Sequence, residues 1–316
     1  MALFTKSKKN AGWMAISFQS DGLCVAHIKR SPAALPTVEF VSFYPLAPST
    51  RHAQLERLGK ELQAQRYHCL ALLSPGEYQL LAVDAPNVPP EELKTAIRWR
   101  LKDMLDIHID DATVDVLDIP VDKNAVVRNH SMYAVAAKNQ LIQERQTVFA
   151  DAKIPLSAID IPEMAQRNIS VLMEPEGRGL ALLSFDATGG LLTVSFSGEL
   201  YLARRIDISL SQMQQADADQ KSEFFERITL ELQRSLDHFD RQFHFITVAK
   251  LMVSPLGEAG AGLPEYLAGN LYVPVEAMNL ETIFDFGKVP ELKEIGQQQR
   301  YFQTLGAALR LEEKLL

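Results

Sequence analysis

Many residues in this chain have side chains able to do chemistry, but few stand at spacings that build a reactive site. The seven histidines show no metal-ligand spacing. His238 and His244, read as lying on one helix, are six residues apart and so face different sides of it. Asp237 and Asp240 beside them read as solvated charges. The two cysteines, Cys24 and Cys69, sit inside the apolar runs LCVAHI and HCLALL, where a thiol behaves as a small hydrophobe. With no Cys-x-x-Cys pair there is neither a disulfide framework nor a zinc site, and a reducing compartment fits best. Neither a Gly-x-Ser-x-Gly elbow nor a Gly-x-x-x-x-Gly-Lys loop occurs. Ser74-Pro75-Gly76 reads as a turn. Asp84, at the end of an apolar strand where a catalytic acid could stand, reads as a turn initiator before Ala85-Pro86. Two polar hairpin turns remain, Gln19 to Gly22 and Asp186 to Gly190. Trp99 also remains, an aromatic lying off the apolar stripe of its helix.

The elements that position these turns are strands. GWMAISF and LCVAHI flank Gln19-Ser20-Asp21-Gly22, and Asp-Gly between two such runs is a hairpin signal. TVEFVSFYPL supplies a third strand. Leu55, Leu58 and Leu62 then mark a helix, CLALLS and YQLLAVD two more strands, and Pro86, Pro89 and Pro90 a boundary. Pro90 suits the first turn of a helix, Glu91 and Glu92 its positive end, and Leu93, Ile97, Leu101 and Met104 its stripe. TVDVLDI and MYAVAA read as strands around an exposed tip, VDKNAVVRNH. A helix carrying Leu141, Arg145, Val148 and Phe149 follows, then the strand IPLSAIDI and a short helix after Pro162.

The opening layout then recurs. GLALLSF, LLTVSF and ELYLARRIDI are three strands joined by the turns DATGG and Ser197-Gly198. A helix from near Ser222 carries Phe225, Ile228, Leu232, Leu236, Phe239 and Phe243 at steps of 3 and 4. The strand VAKLMVS, a short helix around Tyr266-Leu267, the strand YVPVEAM and a helix from Tyr301 to Leu311 complete the chain. Strand triplets followed by helical material, and repeated once, imply an α/β protein of two similar lobes.

The 316 residues suffice for a sizeable core without metal or disulfide. A net charge of −8 is a poor match for nucleic acid, so no nucleic-acid partner is expected. The basic cluster Lys6, Lys8 and Lys9 reads as a solvated terminus that could touch an anionic membrane surface. No run reaches the roughly 18 apolar residues of a membrane span, and the first ten residues lack the apolar core of a signal peptide. A cytoplasmic protein is expected.

Several blocks resemble the PilM-like family of type IV pilus assembly proteins. They are FTKSKKNAGWMAISFQSDGLCVAHIKR, then SPGEYQLLAVDAPNVPPEELKTAIRWRLKDMLDIHIDDATVDV with its specific Ala96-Ile97-Arg98-Trp99. RITLELQRSLDHFDRQF, AGLPEYLAGNLYVPVEAMN and the ending LGAALR are also similar. Within the family the narrower likeness is to the MshI proteins of MSHA pilus biogenesis. The resemblance implies an actin-like ATPase (ribonuclease H-like) fold, with two duplicated lobes and a small inserted subdomain. The expected divisions are residues 1–76 for the first lobe, 77–150 for the insert and 151–176 for the return to the first lobe. Residues 177–296 form the second lobe, and 297–316 a C-terminal helix packing back on the first. It further implies a place in the cytoplasm peripheral to the inner membrane. There the protein binds the cytoplasmic peptide of a PilN-like membrane subunit, in a groove between the first lobe and the insert, within a platform of other pilus proteins. Leu93, Ile97, Trp99 and Leu101 are the candidate partner-binding residues, although the default reading of the periodic stripe Leu93, Ile97 and Leu101 is the insert's own core. An exposed Trp suits an interface anchor.

The family also implies an ATP cleft, and here the sequence departs from it. An Asp-Ile-Gly-type turn becomes Ser17-Phe18-Gln19, which loses the acid and a glycine that allows close backbone approach. Cys24 aligns with the turn lysine. The second turn reads Ser184-Phe185-Asp186, placing a carboxylate where phosphate would sit. At ~4 Å and an effective dielectric of 20 such repulsion is about 4 kcal/mol, roughly three decades of affinity. Ser254-Pro255-Leu256 replaces a glycine pair near the adenosine. The degenerate cleft residues are Ser17, Gln19, Ser20, Asp186, Thr188, Gly189, Gly190 and Ser254. No catalytic residue, metal or cofactor is expected, with Mg-ATP binding as the open exception. The readings to separate are a scaffold without hydrolysis, an ATPase whose nucleotide state gates pilus assembly, and an actin-like cytoplasmic subunit of type II secretion. A homo-oligomer is compatible with each.

Overall fold

The computed structural model describes residues 11–31, 34–45, 51–89, 91–121 and 130–311. The Lys6–Lys9 cluster, Pro90 and most of the VDKNAVVRNH tip lie outside the described residues.

The chain opens with β1 (Trp13–Phe18), β2 (Gly22–Ser31) and β3 (Ala34–Pro45), an antiparallel triplet. Helix α1 (Arg51–Glu61) leads to β4 (His68–Leu72), which pairs parallel with β1. An insert follows: β5 (Tyr78–Asp84), α2 (Leu93–Leu101), β6 (Ala112–Asp118) and β7 (Ser131–Lys138). Helix α3 (Asn139–Asp151) returns to β8 (Leu156–Asp160), parallel to β4, and α4 (Pro162–Ser170) closes the first lobe. The second lobe repeats the plan with the triplet β9 (Gly179–Phe185), β10 (Gly190–Phe196) and β11 (Glu199–Ile206). Helices α5 (Leu210–Gln215) and α6 (Ala218–Gln242) precede β12 (Val248–Val253), α7 (Leu263–Asn270), β13 (Val275–Ala277) and α8 (Ile295–Ala308). The sheet orders β3-β2-β1-β4-β8 and β11-β10-β9-β12-β13 are the same arrangement twice, and the insert forms its own sheet, β5-β7-β6. The internal repeat read from the sequence is therefore a structural duplication.

Local chemistry explains the hairpins. Gln19 N–H donates to Gly22 O at 2.8 Å to close the first turn. At the β10–β11 turn Ser197 (φ 52°) and Gly198 (φ 81°) both take left-handed backbone, the pairing of signs that matches strand twist in a two-residue hairpin. The apolar stripe of α6 buries Phe225, Ile228, Leu232, Leu236 and Phe239 in the core of the second lobe. Each such side chain contributes about 1.5–3 kcal/mol relative to exposure. The central core is shared by both lobes: Ala15, Ala26 and Leu70 from one sheet meet Leu180, Leu182 and Met252 from the other around α4 and α8.

Five helix boundaries differ from the sequence reading. Helix α2 begins at Leu93, so Glu91 and Glu92 precede it and leave no acid in its first turn. Helix α6 begins at Ala218 rather than near Ser222, because Asp217 and Gln220 form a reciprocal capping box. It ends at Gln242, so His244 lies beyond the helix that carries His238. Helix α8 starts at Ile295 and stops at Ala308, since its polar first turns carry no apolar period to mark them.

Candidate functional site

A cleft of about 500 Å³ lies between the two lobes, lined by the β1–β2 turn, the β9–β10 turn, the end of β4 and the N-terminal half of α8. Ser17, Gln19, Ser20, Asp186 and Thr188 all line it, so the duplication brings both turns to one place. Gly189 lines an adjoining pocket instead. Gly190 starts β10 under the Phe185 ring, where a Cβ would lie 2.7 Å from Phe185 Cε1. Ser254 is buried at the end of β12, its N–H donating to Leu183 O at 2.8 Å, and it is not among the cleft-lining residues.

The groups that would grip a phosphate are already engaged. In the second turn, Asp186 Oδ1 accepts from Thr188 N–H (2.7 Å), Thr188 Oγ1 (2.6 Å) and Gly189 N–H (3.0 Å). This is the Asx arrangement, in which a side chain satisfies the backbone donors two and three residues on. Arg205 stands 3.8 Å from the other carboxylate oxygen. In the first turn, Ser17 Oγ and Thr304 Oγ1 share a hydrogen bond of 2.7 Å, and Gln19 Nε2 donates to Arg300 O at 2.9 Å. Arg300 also pairs with Asp21 at 2.8 Å and lies over the Phe43 ring at 4.3 Å. Cys24, where the resemblance implies a turn lysine, is fully buried, and burial pushes its thiol up to about 12. It supplies no cation.

These residues do not fit a Mg-triphosphate. The backbone donors of the second turn are closed by a carboxylate, and α8 fills hydrogen-bonding positions of the first. Among the described residues no group of three or more His, Cys, Asp or Glu side chains is arranged to hold a metal. The remaining lining mixes the apolar Leu72, Leu73, Pro162, Phe185 and Phe302 with the neutral Gln299 and Gln303.

The partner candidates separate in space. Ile97 and Leu101 are fully buried in the insert core with Val83, Met132 and Ala134, and Leu93 packs against the same cluster. A groove surface on this helix therefore excludes Ile97 and Leu101 as placed, because α2 uses them to cover one face of the insert sheet. Trp99 is 72% exposed, on the other side of the helix. Arg98 next to it donates to Ala112 O and Ile109 O, both at 2.7 Å, and so fixes α2 on the insert.

Sequence reasoning missed the buried polar residues of α4, the helix whose Pro162 lines the cleft. Gln166 of α4 is fully buried, and its Nε2 reaches Leu182 O (2.6 Å), Thr193 Oγ1 (2.9 Å) and Leu191 O (3.1 Å). Its Oε1 accepts from Ser184 Oγ at 2.6 Å. Glu163, also buried, accepts from Tyr78 at 2.5 Å and from Arg205 at 3.1 Å. Burial, with Glu163 alongside, holds the Tyr78 hydroxyl well above its ordinary pKa. No local signal marked the α4 residues: Glu163, Gln166, Arg167 and Ser170 share a polar helix face that reads as surface, yet every residue of α4 is buried, and buried polar groups need partners.

No protein-family model and no curated protein matches the chain. Solved structures do match. A chain described as the PilM-PilN type IV pilus biogenesis complex superposes with a TM-score of 0.72 at 19% identity, covering 95% of this chain and 98% of that one. A Bacteroides thetaiotaomicron protein of actin-like ATPase fold and unknown function gives a TM-score of 0.48 at 12% identity, over 93% and 99% of the two chains. The cytoplasmic domain of EpsL, an inner-membrane component of the Vibrio cholerae type II secretion system, gives 0.47 at 11% identity, over 91% and 94%. The fold is thus the expected one: an actin-like ATPase fold of two duplicated lobes carrying a small inserted sheet.

Proposed function

We propose that this chain is a non-hydrolysing actin-like scaffold in a type IV pilus assembly platform, docking the cytoplasmic peptide of a PilN-like membrane subunit. Two lines support the reading: the resemblance in the Ala96-Ile97-Arg98-Trp99 block, and the end-to-end fold likeness to a chain from the PilM-PilN complex. The observation that favours a scaffold over a nucleotide-gated ATPase is Asp186, whose carboxylate takes the Thr188 and Gly189 N–H groups at 2.7 and 3.0 Å. Trp99 is the anchor this reading offers a partner, because a large exposed aromatic on a fixed helix contributes contact area at low entropic cost. The MSHA branch, a cytoplasmic place beneath the inner membrane and contacts with further platform proteins belong to the same proposal. Among the described residues no helix is long and apolar enough to cross a membrane, which agrees with attachment through a partner.

The test is calorimetric titration of the whole chain with a synthetic peptide copying the N-terminal cytoplasmic segment of a PilN-like subunit. Binding is expected, weakened by Trp99→Ala, and absence of binding refutes the scaffold. A thermal melt with Mg-ATP runs in parallel. Ligand at 100 times its dissociation constant stabilises by about 2.7 kcal/mol, so a clear shift would restore the nucleotide-gated reading.

A further inference from the structure

The insert is threaded into the first lobe, yet much of its apolar surface packs on the second. Its sheet has two faces. One lies under Ile97 and Leu101 of α2. From the other, Tyr133 and Ala137, flanked by Tyr78, Leu80, Leu117 and Val135, join the core of the second lobe. Helix α3 anchors it to the first lobe: Phe149 is buried in that lobe's core, and Arg145 lies 3.8 Å over the Phe18 ring and pairs with Glu77 at 2.5 Å.

The contact with the second lobe has a specific chemistry. β11 is an edge strand of its sheet, so every other residue turns its backbone N–H and C=O away from β10. Edge groups of this kind normally need a cover. The Tyr133 hydroxyl supplies one, donating to Tyr201 O at 3.2 Å and accepting from Ala203 N–H at 3.1 Å. One phenol thus occupies the place of a neighbouring strand. Two residues along, Arg205 presents the same edge. Its side chain donates to the Tyr78 hydroxyl at 2.9 Å and to Glu163 at 3.1 Å, which ties the insert, α4 and the second lobe together. Around these points a pocket of about 630 Å³ opens, so the junction concentrates its polar contact on Tyr133 and Tyr78. Pro75 and Thr188 line both this pocket and the interlobe cleft, so the junction borders the cleft itself.

We infer that the inserted sheet is an interlobe strap, with Tyr133 and Tyr78 as its fasteners, holding the lobes at one closure without a ligand between them. In a two-lobed cleft protein a ligand bridging both lobes commonly sets the angle. Here the protein's own side chains bridge them. A molecule that docks on the insert consequently acts on the lobe angle through the β11 edge. The strap does not depend on who that partner is.

The test uses the full chain with Tyr133→Phe, and with Tyr133→Phe/Tyr78→Phe, both of which keep the rings. Amide exchange at Ala203 is read against the other β11 amides. Interlobe distance is read by electron–electron spin resonance between labels at Ala53→Cys on α1 and Glu231→Cys on α6; the native Cys24 and Cys69 are buried. Tyr133→Phe should speed Ala203 exchange at least tenfold while the β11 amides bonded to β10 are unchanged. The double variant should broaden or lengthen the distance distribution, and the parent chain should give one narrow peak. Unchanged Ala203 exchange would show that the hydroxyl does not cover the edge. An unchanged distance distribution in the double variant would show that the insert does not hold the lobes. Either result overturns the strap.

Discussion

Gly306→Ala sets two physical effects against each other in the core shared by the two lobes. Gly306 sits inside α8, where Ala is worth about 1 kcal/mol more than Gly by helix propensity alone. It is also where α8 crosses α4. A Cβ on Gly306 would lie 2.3 Å from Ala165 O and 2.8 Å from its carbonyl carbon, so the obstacle is backbone and has no rotamer to move aside. The two helices would have to part by roughly 1 Å, and forced overpacking of this kind costs about 1–3 kcal/mol. Separation also stretches the Asn168 Nδ2 bond to Gly306 O, now 3.0 Å, a further loss of about 1 kcal/mol. The net expectation is a destabilisation of about 2 kcal/mol. At the 2–4 °C per kcal/mol of domains of a few hundred residues, that is a fall in Tm of roughly 4–8 °C. Urea unfolding followed by circular dichroism measures it. Gly269→Ala in α7 is the control: a Cβ there meets nothing within 4 Å, so it should be neutral or stabilising by up to about 1 kcal/mol. A Gly306→Ala chain as stable as the parent would refute the close α4–α8 crossing.

Asp186→Ala releases the N–H groups of Thr188 and Gly189 and removes the repelling charge. Inorganic tripolyphosphate should then raise the melting temperature of the variant and leave the parent unmoved, and equal shifts would contradict the closed-turn account. Gln166→Leu strands the Leu182 and Leu191 carbonyls and two hydroxyls inside the core, so about 3 kcal/mol or more of stability should be lost in urea titration; a loss below about 1 kcal/mol would mean those groups find other partners. Burial holds the His27 imidazole below its ordinary pKa. Below about pH 6.5 the unfolded chain therefore binds a proton that the folded chain refuses, and stability falls as the pH drops through that window. His27→Phe keeps a ring against Phe40 and Tyr67 and should flatten that acid-side slope, measured from pH 7 to 5. Trp99→Ala should change stability by no more than about 0.5 kcal/mol, because the side chain is exposed.

Much of the fold was legible because local chemistry and global position agree. Alternation and turn residues marked both hairpin triplets. The 3–4 stripe of α6 named its buried residues, and Trp99, set off its helix stripe, is exposed as that position implies. Capping was readable but overlooked at Asp217 and Gln220. The start of α8 was not readable, since Gln297, Gln298 and Gln299 carry no apolar period. Gln298, which looks like surface, is fully buried because its amide reaches Leu280 N–H at 2.8 Å and Asn279 Oδ1 at 3.0 Å.

By itself the sequence determined the strand triplets and their repetition, because residue type and spacing alone set these. Only the tertiary structure decided that Asp186 folds back on its own turn, that the Thr304 hydroxyl and the accepting Arg300 carbonyl of α8 meet Ser17 and Gln19 of the first turn, and that the insert packs on the second lobe. Those contacts join residues far apart along the chain, and no local propensity records which distant backbone edge a tyrosine hydroxyl will meet.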